Sequence, residues 1–462
     1  MKIRFIKQLS AQLFILKGQV NAMASLKRGK ILAGKMLCIF PILGLHTTVS
    51  RVRSVFYFVS LVYALVRNMG PKGACLMLKV YAVTLQQAIG GFKVKDITAL
   101  KFRCSRTNSG LPRVIPAIHR SLIRSGDTGM IRFYLTLFNL YRLMEFRGDF
   151  RFKSLTKTIT SPAVMLVGHV ELKAHMILFI PLFFKALARL IGMNTRALVV
   201  ELGREYEHLR PTPLLKSSPV TASMPAGMSD LTRLEADELL DKTPVVSTHP
   251  LAVHEAAVAL DENPELRPAI LYFLAQLPKG NVLKDLWRHC MLVTLDKSLA
   301  TVRGSNPALG KLSLKQEAAG KVRVFAMVDC WTQWLLKPLH SVIFDQILSG
   351  IPQDGTMDQL RPVRTLLETK PTYLASLDLS AATDRLPLWL QKLILTFWLG
   401  QYFADAWAAL LINRDYSLTI PFNVDGLPGR YRVRYTVGQP MGALSSWAML
   451  ALTHHFIVQY CA

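Results

Sequence analysis

From residue 321 onward, apolar and polar positions alternate with a period of two and then give way to a helical period, three times in succession. This is the pattern of strands that each deliver into a helix and present polar side chains at a sheet's edge. In KVRVFAMVDCWTQWLLKPLH (321–340) the alternation puts Lys321 and Arg323 on one strand face, Val322 and Val324 on the other. Asp329 then stands at the cap of a helix whose Trp331, Trp334, Leu335 and Leu339 share a stripe, with a kink expected at Pro338. In the second unit TYLASLDL predicts a buried strand with Asp378 at its carboxyl end, followed by a helix over 385–399. Asp384 falls at that helix's entrance, Pro387 in its first turn and Gly400 at its stop. The third unit, YSLTIPF (416–422), a turn, and RYRVRYTV (430–437), predicts a hairpin. Its second strand carries Arg430, Arg432 and Arg434 on one face and Tyr431, Val433, Tyr435 and Val437 on the other. The loop GQPMGAL (438–444) leads into a last helix that Ser445 or Ser446 is placed to cap.

Upstream, the first ~210 residues read mostly as helices, and the Pro/Ser-rich stretch 211–230 reads as a linker or long loop. Helical patterning resumes at SDLTRLEADELLD (229–241), with Ser229 or Asp230 as cap, and continues towards residue 300. The most apolar runs, 54–66 and 176–184, are each interrupted by Arg, Lys or Pro before the ~20 residues that a bilayer span needs. Buried helices with at most peripheral membrane contact, and no stable transmembrane insertion, are expected.

Charge changes the picture. The chain has 56 Lys and Arg against 30 Asp and Glu, a formal charge of +26. No acid precedes Asp96, whereas basic residues recur from Lys2 to Lys95. One-signed stretches of this kind meet polyanions: a phosphate polymer or an anionic lipid surface. Six scattered cysteines without CxxC spacing argue against a disulfide framework or a zinc site. The basic, acid-free opening suits a mitochondrial transit segment and an ordinary basic helix equally.

The chemistry-bearing residues fall in the three strand-helix units. Lys321 and Arg323 can neutralise a triphosphate, although a solvated strand edge has the same composition. A carboxylate closing a buried strand, as expected for Asp378, is costly unless paired or metal-bound, and Mg²⁺ shares itself between carboxylates and substrate phosphates. Capping is a sufficient role for Asp384. Gly438 and Gly442 allow close backbone approach, to a ligand or to the chain itself. HEAAV (254–258) has Val258 where a zinc protease needs its second His, and no nucleophile elbow or dinucleotide fingerprint is present.

The order basic strand, SLDLSAATDR, then GQPMGALSSWAMLALTHHFIVQ resembles motifs F, A and B of viral RNA-dependent RNA polymerases, and most closely those of mitoviruses in the narnavirus-like group. TNSGLPRVIPAIHR (107–120), the stretch 311–340 and IPQDGTMDQ (351–359) share the resemblance, which therefore covers roughly 100–462. It implies an α+β right-hand polymerase: a basic helical amino-terminal region and part of the fingers (1–210), a linker (211–230), fingers with the triphosphate-binding motif (231–372) and a partial palm (373–462). Asp378 matches the catalytic, metal-holding carboxylate, for Mg²⁺ or Mn²⁺, and Asp384 the residue that senses the ribose 2′-hydroxyl. Lys321 and Arg323 match the triphosphate clamp, while Gly438, Gly442, Ser445 and Ser446 match the template and ribose loop. Arg430, Arg432 and Arg434 are expected to contact RNA.

The implied partners are RNA template and product and nucleoside triphosphates, and the implied location is the mitochondrion. Two departures stand out. Leu450 and its neighbours occupy the helix where many such polymerases carry an Asn that partners the ribose-reading Asp. The sequence also has no Asp-Asp pair and thus no Gly-Asp-Asp hairpin of motif C, and a chain without the thumb is expected as well. A truncated or host-inserted copy, inactive alone, is therefore expected. The alternatives are one half of a split polymerase completed by a second polypeptide that supplies motif C, or a noncatalytic basic RNA-binding protein.

Overall fold

The computed structural model describes residues 37–38, 40, 44, 46–91, 102–144, 146, 157–160, 169–214, 250–293, 309–420 and 429–462. The basic opening (1–36), the linker beyond residue 214 and the capped helix expected at 229–241 lie outside them. The chain divides into two compact units, Met1–Phe150 with Lys315–Arg323, and Arg151–Leu314 with Val324–Ala462.

In the first unit, helix α1 (Val49–Ile89) starts at Thr48, whose hydroxyl accepts from the Arg51 amide at 3.3 Å. It kinks at Gly70, where φ reaches 71° before Pro71. Val55, Phe58, Val62, Leu78 and Leu85 form its buried stripe, packed with α2 (Ala117–Arg124) and α3 (Thr128–Phe138) around Phe133, Leu137 and Phe138. His119 is buried here between Ser50 and Tyr134, each at 2.7 Å, and burial lowers its pKa.

The second unit contains α4 (His169–Ile191), α5 (Thr195–Glu207), α6 (Pro250–Glu262), α7 (Arg267–Gln276) and α8 (Val282–Leu292). The expected interruption of the two apolar runs is corrected. Helix α1 continues through Arg67 and α4 through Pro181, and both are long and apolar enough to cross a membrane by length and composition alone. Nor are the runs wholly buried, since Tyr57 and Leu178 face solvent. An isolated charge or proline interrupts hydropathy without necessarily ending a helix.

A small mixed sheet follows, with strands β1 (Gly310–Glu317), β2 (Lys321–Val328), β3 (Tyr416–Ile420) and β4 (Gly429–Val433) in the order β2-β1-β3-β4. β1 and β3 are parallel, with Gly310 opposite Tyr416, and β3 and β4 are antiparallel, with Tyr416 opposite Val433. The expected hairpin therefore forms.

So does the helix after Asp329, α9 (Cys330–Ser341): the Asp329 carboxylate accepts from the Thr332 amide at 2.8 Å, and Trp331, Trp334, Leu335 and Leu339 are buried. It runs through Pro338 and widens into a π turn over Val342–Ile347. The remaining helices are α10 (Arg361–Glu368), the short α11 (Ala382–Arg385), α12 (Leu388–Leu399), α13 (Gln401–Ile412) and α14 (Ser446–Cys461). Gly400, at φ 89°, separates α12 from α13 as the sequence predicts.

One expected element is absent. The segment 371–379 forms no strand, and it is exposed, with Tyr373 at 82% and Leu377 at 91% of full accessibility. An extended segment becomes a strand only when a neighbour accepts its amides and offers carbonyls, and among the described residues none does so here.

Candidate nucleotide-binding site

Within the second unit, the turn that carries Asp384 is bound directly to the loop after β4. The Gly438 amide donates to the Asp384 carbonyl at 3.1 Å, and the Gln439 amide to the Thr383 carbonyl at 3.0 Å. A Cβ on Gly438 would lie 2.5 Å from the Thr383 carbonyl oxygen, so only glycine admits this approach. The freedom of Gly438 thus serves packing against 383–384.

Asp384 is not the cap of a long helix. It sits inside α11, and α12 starts separately after Pro387. The side chain is half-buried, and the Tyr435 hydroxyl donates to its Oδ1 at 3.2 Å. Burial raises the carboxyl pKa to about 6, against the opposing pull of the Tyr435 hydrogen bond. Tyr435 itself is buried, edge-on to Tyr416 with ring centroids 5.1 Å apart.

The rest of the loop is braced by elements far apart in sequence. Gln333 of α9 donates to the Gly442 carbonyl at 3.2 Å and accepts from the Leu444 amide at 2.7 Å. The Ala326 amide of β2 donates to the Met441 carbonyl at 2.7 Å. Gly442, at φ 126°, lies where a Cβ would meet the Ala326 carbonyl oxygen at 2.3 Å. Gln439 is fully buried and donates to Gln391 at 2.6 Å and to the Ser446 carbonyl at 2.8 Å.

The expected capping by serine is corrected: Ser445 adopts a left-handed φ of 65° and makes no side-chain cap. Its hydroxyl accepts from the Trp407 indole at 2.9 Å, and the Ser446 hydroxyl donates to the Ala443 carbonyl at 2.8 Å. Both serines are buried, so their hydroxyls shape the loop.

The cations divide between the two units. Lys321 and Arg323 share the exposed face of β2 as predicted, and both belong to the first unit. Arg323 pairs with Glu317 at 2.7 Å. In the second unit Arg432 is exposed, whereas Arg434 bridges Glu265 at 3.0 Å and Asp415 at 3.2 Å. The Arg430 side chain lies outside the described residues.

Asp378 departs furthest from expectation. A place at the tip of a buried strand is replaced by exposure in the unpaired segment. Among the described residues, no group of three or more His, Cys, Asp or Glu side chains is placed to hold a metal ion. Among the described residues, Asp378 is thus not part of a metal centre. Three groups escaped the sequence reading: Tyr435, Gln333 and Trp407. Alternation assigns Tyr435 to the core, and its hydroxyl is the signal for a contact there, since a buried tyrosine requires a polar partner.

Comparison with known proteins bears on this arrangement. A family model described as Mitovirus RNA-dependent RNA polymerase matches residues 216–462, more than half of the chain. The chain belongs to that family. It is 40% identical over 183 residues to the RNA-directed RNA polymerase of Cryphonectria parasitica mitovirus 1, covering 38% of this chain and 21% of the viral protein. Two uncharacterized mitochondrial proteins of Arabidopsis thaliana are also similar. One is 38% identical over 25% of this chain and 45% of its own length, the other 35% identical over 24% and 53%. The chain thus spans about half or less of each of these relatives. No solved structure matches it.

Proposed function

We propose that the chain is the nucleotide- and RNA-receiving part of a viral-type RNA-dependent RNA polymerase, comprising fingers and a partial palm. Its ligands are then RNA template, RNA product and nucleoside triphosphates. Membership in the mitovirus polymerase family supports this reading. The observation that carries it is the backbone lock between the Asp384 turn and Gly438–Gln439, which joins the ribose-sensing segment to the ribose and template loop. In that frame Asp384 reads the sugar, and Arg432 contributes positive charge for phosphates.

The exposure of Asp378 favours a second element in the proposal: this chain binds nucleotide and RNA but needs further polypeptide, supplying motif C, to complete catalysis. Polymerases of this kind use divalent ions, Mg²⁺ or Mn²⁺, which neutralise charge on the transferred phosphoryl group. The mitochondrial names of the plant relatives suit a mitochondrial setting and an inserted copy.

The test uses the full chain of 462 residues. With a primed RNA template, labelled ATP and magnesium, RNA binding without nucleotide incorporation is expected. Sustained incorporation by the chain alone would overturn the need for added polypeptide, and absence of both RNA and nucleotide binding would overturn the polymerase reading.

A further inference from the structure

The geometry points to Tyr435 as a specificity-determining positioning residue: its hydroxyl holds the Asp384 carboxylate so that Oδ2 is left to accept the 2′-hydroxyl of a bound ribonucleotide. This rests on the reading of Asp384 as the ribose sensor. Three observations on separate elements converge on it. The Tyr435 hydroxyl donates to Oδ1 at 3.2 Å, and among the described residues no other side chain is seen to hydrogen-bond this carboxylate. The backbone on both sides is clamped, because Gly438 and Gln439, three and four residues after Tyr435, donate to the carbonyls of Asp384 and Thr383. The tyrosine ring is buried and set by Tyr416, whose own hydroxyl donates to the Leu411 carbonyl at 2.7 Å.

A carboxylate fixed by one donor and partly withdrawn from water has one strong acceptor position left. A ribose hydroxyl fills that position. A deoxyribose leaves a desolvated carboxylate oxygen without a partner, and sites built to bond a substrate hydroxyl reject analogues that lack it. The last helix offers Leu450 in place of a polar partner, so the hydroxyl of β4's extension takes the part that a helix side chain could have played.

The substitution Tyr435→Phe removes the hydroxyl and keeps the ring that packs on Tyr416. Binding of ATP and 2′-deoxy-ATP to the full chain is measured by calorimetry in magnesium buffer, for the native chain, Tyr435→Phe, Asp384→Asn and the double variant. The expected result is a native preference for ATP that falls about tenfold in Tyr435→Phe, through weaker ATP binding, with no further loss in the double variant relative to Asp384→Asn. A native preference that survives Tyr435→Phe intact would overturn this role while leaving Asp384 as the sensor. No native preference, or no nucleotide binding, would overturn the sensor reading and this inference with it. A carbon-13 titration of the Asp384 carboxyl gives a readout independent of ligand. Its midpoint, about 6 in the native chain, should move upward in Tyr435→Phe because a donor favouring the ionised form is lost, and an unmoved midpoint overturns the contact.

Discussion

Arg414 and Asp329 show how much depends on single side chains that perform no chemistry. Both are almost fully buried and paired at 2.5 Å, and Arg414 also donates to the Leu309 carbonyl at 2.9 Å and the Thr332 hydroxyl at 2.8 Å. Since Asp329 caps α9, the pair joins that helix to the residue just before β1 and to the segment entering β3. Removing one partner leaves a buried charge uncompensated. Arg414→Ala should therefore lower unfolding free energy by about 3–5 kcal/mol in urea denaturation. By contrast, the exposed pair of Arg434 with Glu265 should contribute no more than about 1 kcal/mol, because water screens it. The same contrast of environment separates Asp384, partly withdrawn from solvent and raised in pKa, from Asp378, open to it.

Among the elements, the loop between β4 and α14 is held by several others besides the Asp384 turn. β2 contributes the Ala326 amide, α9 contributes Gln333 and α13 contributes the Trp407 indole. Its conformation is thus a consequence of tertiary contacts, and its glycines are tolerances of that packing. Gly442→Ala would drive a Cβ to 2.3 Å from a backbone carbonyl oxygen of β2 at a φ that alanine rarely adopts. A loss of about 2 kcal/mol or more is expected, read as a lower melting temperature together with faster amide exchange at Leu444. α14 is anchored along its length too, where His455 meets the buried Asp354 carboxylate at 2.8 Å. That contact gives the IPQDGTMDQ loop a structural reason to accompany the last helix.

Across the whole molecule, a formal charge of +26 is large enough to govern association with any nucleic acid. If roughly five phosphates of single-stranded RNA are neutralised, affinity should fall about a hundredfold between about 50 and about 200 mM salt. Fluorescence anisotropy with a labelled single-stranded RNA measures this slope, and a flat response would indicate that the charge is not used on phosphates. The division into two compact units places the cationic face of β2 in one and the Asp384 turn in the other.

Periodicity alone was enough for the local elements. Alternation at 321–324 and 432–435 places Lys321, Arg323, Arg432 and Arg434 outward and Val433 and Tyr435 inward, and the stripe of α9 is legible from its tryptophans. Those features depend on backbone geometry and on burial of apolar side chains, which act over a few residues. Motif order likewise carried the family, since it is a property of the chain as written. The fate of 371–379 was not legible, because an apolar extended stretch is a strand only where a neighbour pairs with it. Nor were the inward hydroxyls of Ser445 and Ser446 or the Tyr435 contact, which join residues up to 51 positions apart. Partners at that separation are selected by the folded path of the chain, and no local pattern encodes which polar atom a buried hydroxyl will find.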